Sequence, residues 1–150
     1  MTLSKDKQHS ATYINTDHAK PYCTSSQNFK SILNDLSSGV FNGRTVVQQD
    51  SQKTNSIQSN KNLLLSDKAL MNSNPQLEIY ADDVKCAHGS TTGALDKEAL
   101  FYLQSRGINK EEASSLLIKG FASELINEVQ HEETKKYLLN KFDHWLRYYN

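Results

Sequence analysis

Cys86 and His88 are the side chains whose type and spacing most readily do chemistry. In Val84-Lys85-Cys86-Ala87-His88, the alternation of an extended strand puts Val84, Cys86 and His88 on one face and Lys85 and Ala87 on the other. A soft thiolate beside an imidazole suits iron–sulfur or zinc chemistry. Two ligands do not close a metal site, so the remaining donors would have to come from another chain. On spacing alone, a packed thiol and a hydrogen-bonded imidazole account for the pair better than a metal does.

The other reactive side chains group less well. His18 and Cys23 flank the turn-like Lys20-Pro21 and read as an exposed loop residue and a half-buried thiol. Asp82-Asp83 has the look of the carboxylate pairs in β-helical polysaccharide enzymes. Neighbours on a strand point to opposite faces, however, so an Asx turn is the better account. Gly89 and Gly93 lack the strand-to-helix frame and the lysine of a phosphate loop. A single strand histidine supports no Ser-His-Asp order. His131 and His144 fall in helical sequence and read as solvated or partner-facing.

Short apolar runs must position Cys86 and His88. Phe29–Leu33, Gly39–Phe41, Arg44–Val47, Ile57-Gln58, Leu63–Leu65, Leu77–Tyr80 and Val84–His88 recur at roughly 14 to 18 residues, with Asn and Gly between them. Stacked coils of a parallel β-helix produce such a pattern; an antiparallel sandwich gives similar local signals. Asn42-Gly43 between β-type residues is a turn signal. Met1–Ser10 reads as a disordered lead, Thr12-Tyr13-Ile14 as a short strand, and Ala69-Leu70-Met71 as an apolar patch in a loop.

From Asp96 the period becomes helical. Asp96 caps a helix that Gly107 ends, and Asn109 caps a second with Glu112 at the capping-box position. Ala113, Leu116, Leu117, Gly120, Phe121 and Leu125 trace one face of that second helix. A third carries Leu138, Phe142, Trp145, Leu146 and Tyr149 on a stripe, with Glu132 and Glu133 in its first turn. Phe101 and Leu103 are two apart and cannot share a helix face, so the first helix is apolar on more than one side. Such a helix is either fully internal or offers a face to a partner.

Bulk composition bounds the rest. Lysine plus arginine, at 17, equals aspartate plus glutamate, at 17, so no global field favours nucleic acid or an anionic membrane. No apolar run approaches the ~18 residues of a membrane span, and the N-terminus has no apolar core of a secretory signal. Two distant cysteines make no disulfide framework, which fits a reducing cytoplasm.

The run LEIYADDVKCAHGSTTGALD, followed by LFYLQSRGI, closely resembles the SufB/SufD family of iron–sulfur cluster assembly proteins. Within that family it is similar to the SufD branch. SufB-like chains usually carry a His-Glu-Ala-Thr-like run where this one has His88-Gly89-Ser90-Thr91, and they lack the Lys85-Cys86 pair. A motif of about thirty mixed positions is far more specific than a short pattern. The likeness extends through VFNGRTVV, QKTNSIQSNKNLLLSDKA and SSLLIKGFASELINEV.

The resemblance implies the C-terminal coils of a right-handed parallel β-helix followed by a small helical subdomain. Residues 1–28 would form a disordered or extended lead, 29–94 the β-helical core and 95–150 the helices, in a C-terminal part of a longer protein. It also implies a non-catalytic scaffold subunit of a SufB–SufC–SufD complex, not an enzyme by itself. His88 would be a cluster ligand at the interface with a SufB-like paralogue, with Cys86 the weaker candidate, and the iron–sulfur cluster would be transient and shared. Phe101, Tyr102, Arg106 and Phe121 would lie on the surface that docks SufC, an ABC-type ATPase. A β-helical carbohydrate-active enzyme and a homodimeric interaction module are the alternatives from other classes.

Overall fold

The computed structural model describes residues 1–147. Contacts divide the chain into two units, an all-β unit over Thr2–Thr92 and a helical unit from Gly93 onward.

The β unit is a parallel solenoid. Its strands are β1 (Thr2–Ser4), β2 (His9–His18), β3 (Thr24–Leu33), β4 (Ser38–Val47), β5 (Asn55–Leu64), β6 (Leu70–Ile79) and β7 (Lys85–Gly93). Alternate strands share a sheet: β1-β3-β5-β7 form one and β2-β4-β6 the other. Thr2 lies beside Ser31, His9 beside Ser38, Thr24 beside Asn55 and Ser38 beside Leu70, all in parallel register. One coil therefore takes about 30 residues, two strands and two corners. Corners repeat as well. Asp6 and Asp35 share φ 55°, while Tyr22 and Lys53 adopt φ 62° and 63°. This left-handed backbone is rare outside glycine and turns the chain sharply from one sheet to the other.

The sequence signals that mislead do so for physical reasons. Asn42-Gly43 is no turn; it lies inside β4. A Cβ on Gly43 would stand 2.6 Å from Phe41 Cζ and 2.9 Å from Gln58 Nε2, so glycine is there to admit these side chains. The lead expected over residues 1–28 instead carries β1, β2 and the start of β3, and the Met1–Ser10 segment is not disordered. Leu70 and Met71 open β6 instead of lying in a loop, and only Ala69 beside them is buried.

Between the sheets the interior is part apolar and part polar. Leu33, Phe41 and Val47 are buried, and the Phe29 and Phe41 rings meet at 4.9 Å. Beside them run rows of buried Ser, Thr, Gln and Asn that bond across and between coils. Ser25 Oγ lies 2.8 Å from Ser56 Oγ, and Asn60 Nδ2 donates to Ser73 Oγ at 2.9 Å. Outside, Arg44 grips both carboxylate oxygens of Glu78 at 2.7 Å.

Pro75 interrupts β6 opposite Gly43. The Leu70 and Tyr80 N–H groups donate to Ser37 and Val47 next to β4, so by alternation the Pro75 nitrogen faces the open side of β6.

The helical unit comprises α1 (Lys97–Ser105), α2 (Lys110–Ile126) and α3 (Glu132–Arg147). Asp96 caps α1 through the Glu98 and Ala99 N–H groups, and Asn109 caps α2 through Glu112 N–H. At the end of α1, Gly107 with φ 88° lets Gly107 N–H reach Gln104 O and Ile108 N–H reach Leu103 O, the Schellman pattern. The buried stripe of α2 is Ala113, Ser114, Ile118, Ala122 and Ile126; of the expected face it keeps Ala113, while Leu117, Phe121 and Leu125 are half-buried beside it. Leu116 is exposed. In α3, Phe142 and Leu146 are buried as expected, while Tyr149 lies outside the described residues.

Two outcomes check this packing. Gly43→Ala should destabilise the chain by about 1–3 kcal/mol through overpacking, while Gly120→Ala, with nothing within 4 Å of an added Cβ, should be neutral or slightly stabilising in thermal melts. The Arg44 hydrogen bond, then its charge, holds the Glu78 carboxyl below its ordinary range. The pair's small contribution is therefore present above the unfolded carboxylate pKa and is lost as pH falls through the folded one. Glu78→Gln should flatten the acid limb of a Tm–pH profile.

Candidate functional site

β7 is the last strand of the solenoid before the helices. Lys85 N–H donates to Thr54 O at 2.8 Å, the same step by which Asn55 N–H reaches Cys23 O at 2.9 Å. Since Thr24 pairs with Asn55, this step sets Lys85 beside Asn55. Counting along the strand places Cys86 beside Ser56, His88 beside Gln58, Ser90 beside Asn60 and Thr92 beside Asn62. The 3.3 Å bond from Asn62 Nδ2 to Thr92 Oγ1 agrees with that register.

Cys86 and His88 thus continue interior rows of the solenoid onto its final coil. Ser56, Gln58, Asn60 and Asn62 are buried beneath, whereas on β7 Cys86 is half-buried and His88 is exposed, because no strand among the described residues pairs beyond β7. The expected shared face is present, at the uncovered end of the stack. Burial pushes the Cys86 thiol up from its ordinary pKa, and a hydrogen bond from the Ser56 backbone offsets this in part. At neutral pH the thiol therefore keeps its proton more firmly than a free cysteine, which weakens it as a spontaneous ligand.

Among the described residues, no group of three or more His, Cys, Asp or Glu is close enough to hold a metal. Cys86 and His88 supply soft donors that suit iron–sulfur chemistry but do not complete a coordination shell.

The other candidates separate. His18 is not an exposed loop residue: it is 5% exposed at the end of β2, and its Nε2 lies 2.9 Å from Ser25 Oγ. Cys23 is half-buried, with Sγ 3.9 Å from Pro21 O. Asp83 forms an ion pair with Lys53, and its N–H donates to Gln52 Oε1 at 2.9 Å, while Asp82 is exposed. His131 caps α3, with Nδ1 3.3 Å from Thr134 N and its carbonyl accepting from Lys135 N–H.

In the helical unit, α1 has no buried residue. Phe101 is 73% exposed and Tyr102 58%. Arg106 Cζ sits 5.3 Å from the Tyr102 ring centre, a cation–π pair one turn apart. Phe121 is half-buried on α2. Phe101, Tyr102 and Arg106 are close along one short helix, and the fully internal reading of that helix is excluded. No described helix is long and apolar enough to cross a membrane.

Sequence inspection missed Gln58. Its Nε2 donates to Gln27 Oε1 at 3.1 Å, it is 2% exposed, and its buried Oε1 has no hydrogen-bond partner among the described residues. The spacing of Gln27, Gln58 and His88, 31 and then 30 residues apart, was the available signal. It becomes visible once the coil length is known.

Comparison with known proteins agrees with this geometry. Residues 1–121 match the family model described as "SUF system FeS cluster assembly, SufBD core domain". The iron-sulfur cluster assembly protein SufD of Escherichia coli (strain K12) is 46% identical over 123 residues, 82% of this chain and 29% of that protein. An iron-sulfur cluster assembly SufBD family protein of Synechocystis is 40% identical over 129 residues, 86% of this chain and 28% of that one. SufD of Bacillus subtilis (strain 168) is 40% identical over 109 residues, 73% of this chain and 25% of that protein. The chain therefore spans less than a third of the length of these relatives. With the family model covering most of its length, and the Cys86–His88 row on the last coil of a parallel solenoid, the chain belongs to the SufB/SufD family of iron–sulfur cluster assembly proteins and is most like SufD.

Proposed function

We propose that this chain is a non-catalytic scaffold subunit on which iron–sulfur clusters are assembled, in the cytoplasm, as part of a SufB–SufC–SufD complex. The observation that carries this proposal is the placement of His88 at the uncovered end of the solenoid, in a chain whose family assembles iron–sulfur clusters. A nascent cluster is cargo here. His88 lends it one nitrogen, and a SufB-like paralogue meeting the β7 edge supplies further ligands. Cys86 is the weaker donor, because its thiol resists ionisation. The open backbone of β7 suits such a partner, since an unpaired edge strand offers donors and acceptors along its length; a second copy of this chain is the competing occupant.

The helical unit serves a different partner. Phe101 and the Tyr102–Arg106 pair give α1 an exposed aromatic face with a cation, the residue types enriched where proteins bind. The SufC-like ATPase docks there, and its ATP hydrolysis drives change in the complex through these helices.

Two measurements test the assignments. His88→Ala should leave the chain folded and the complex assembled, at a stability loss of about 0.5–1.5 kcal/mol, the range of one hydrogen bond, while cluster formation on the complete complex is lost. Cys86→Ala should be milder. Normal cluster yield on a His88→Ala complex refutes the ligand role. Separately, Tyr102→Ala combined with Arg106→Glu should weaken capture of the ATPase without lowering the melting temperature. Unchanged capture after deletion of the helical unit removes the docking assignment.

A further inference from the structure

Gln27, Gln58 and His88 occupy one interior row on three successive coils of the same sheet. The row has a direction. Gln27 Nε2 donates to Thr16 Oγ1 at 3.0 Å and Thr45 Oγ1 at 3.3 Å, which leaves Gln27 Oε1 facing the next coil. Gln58 meets that oxygen with its own Nε2 at 3.1 Å. With Gln27 so oriented, turning the Gln58 amide over would set oxygen against oxygen. Gln58 Oε1 must then point toward the coil above. It is the atom left buried without a donor, and the residue above it in the row is His88. A buried amide oxygen without a donor costs free energy that a hydrogen bond recovers. His88 is exposed and has room to turn about its own side-chain bonds.

We propose that Gln58 is the positioning residue for His88: its side-chain carbonyl accepts the imidazole N–H that faces the solenoid and thereby turns the other ring nitrogen, with its lone pair, outward from the β7 edge. The proposal rests on the assignment of His88 as a ligand, and it specifies how that ligand is held. An imidazole that ligates through one nitrogen needs its proton on the other, and a carbonyl behind the ring fixes both tautomer and aim. Gln27 and Thr45 act behind Gln58 in turn, holding the amide that holds the ring. No bond is made or broken at Gln58 itself.

The test is long-range proton–nitrogen NMR of the His88 ring in the full chain at a pH where the ring is neutral. The expected wild-type spectrum has one pyrrole-type and one pyridine-type nitrogen, a single tautomer. Gln58→Leu should collapse the two shifts toward the averaged values of free imidazole. Gln58→Glu should restore them when its buried carboxyl is protonated, the O–H donating to Gln27 Oε1 and the carbonyl facing His88. On the assembled complex, Gln58→Leu should lower cluster yield by about 10- to 100-fold, the range for losing a ligand's outer hydrogen bond. Averaged shifts in the wild-type chain overturn the proposal with no variant needed, so a Gln58→Leu chain that fails to fold does not shield it. Averaging unaffected by Gln58→Glu with that carboxyl protonated overturns it as well. Failure of the parent assignment looks different: His88→Ala complexes would then build clusters normally, whatever tautomer the NMR reports.

Discussion

Coil-to-coil backbone hydrogen bonding is the constraint on which this structure depends. Strands of the solenoid donate to the strand one coil before, and at Ser38, Asn55, Leu70, Tyr80 and Lys85 the acceptor lies 30 to 33 residues back. A continuous register step puts like beside like: Ser25 beside Ser56, Gln27 beside Gln58. Once that step is set, the interior becomes a set of rows, and every row has an end. Cys86 and His88 are special less for their own environment than for standing where two rows stop.

The polar interior follows from the same constraint. Apolar side chains can pack in many ways, but a row of amides or hydroxyls must match donor to acceptor from coil to coil. Half-satisfied polar rows are costly in a low-dielectric interior. Such rows therefore fix register, and with it which residues surface at the end of the stack. Val47, Phe41 and Leu33 supply the burial, and the Ser, Thr, Gln and Asn rows supply the alignment.

The site was legible in the sequence to the extent that it is local. Cys86-Ala87-His88 alternates visibly, and Asp96, Gly107 and Asn109 mark helix ends by chemistry that acts within one turn. What acts over 30 residues was not legible. β2 faces inward with Ser10, Thr12, Ile14, Thr16 and His18, of which only Ile14 is apolar, so it shows little apolar alternation and passes for a lead. Asn42-Gly43 mimics a hairpin because the demand on Gly43 comes from Phe41 and from Gln58 on the neighbouring coil, not from a turn. The stripe on α2 was misplaced beyond Ala113 because small residues, Ser114 and Ala122, carry part of it beside Ile118 and Ile126. Small residues bury well but signal weakly in a hydropathy pattern.

Pro75 makes β6 and β7, the two edge strands that follow the rest of the solenoid in sequence, unequal. β6 and β7 both end their sheets, but a neighbour added to β6 would find one amide missing in mid-strand, opposite the position of Gly43. Along β7, from Lys85 to Gly93, every residue retains its N–H. Growth of the stack by indiscriminate pairing is thus blocked at one sheet and open at the other. One imino acid, placed where its own sheet has no use for the donor, thus makes β6 a poorer template for an added strand than β7.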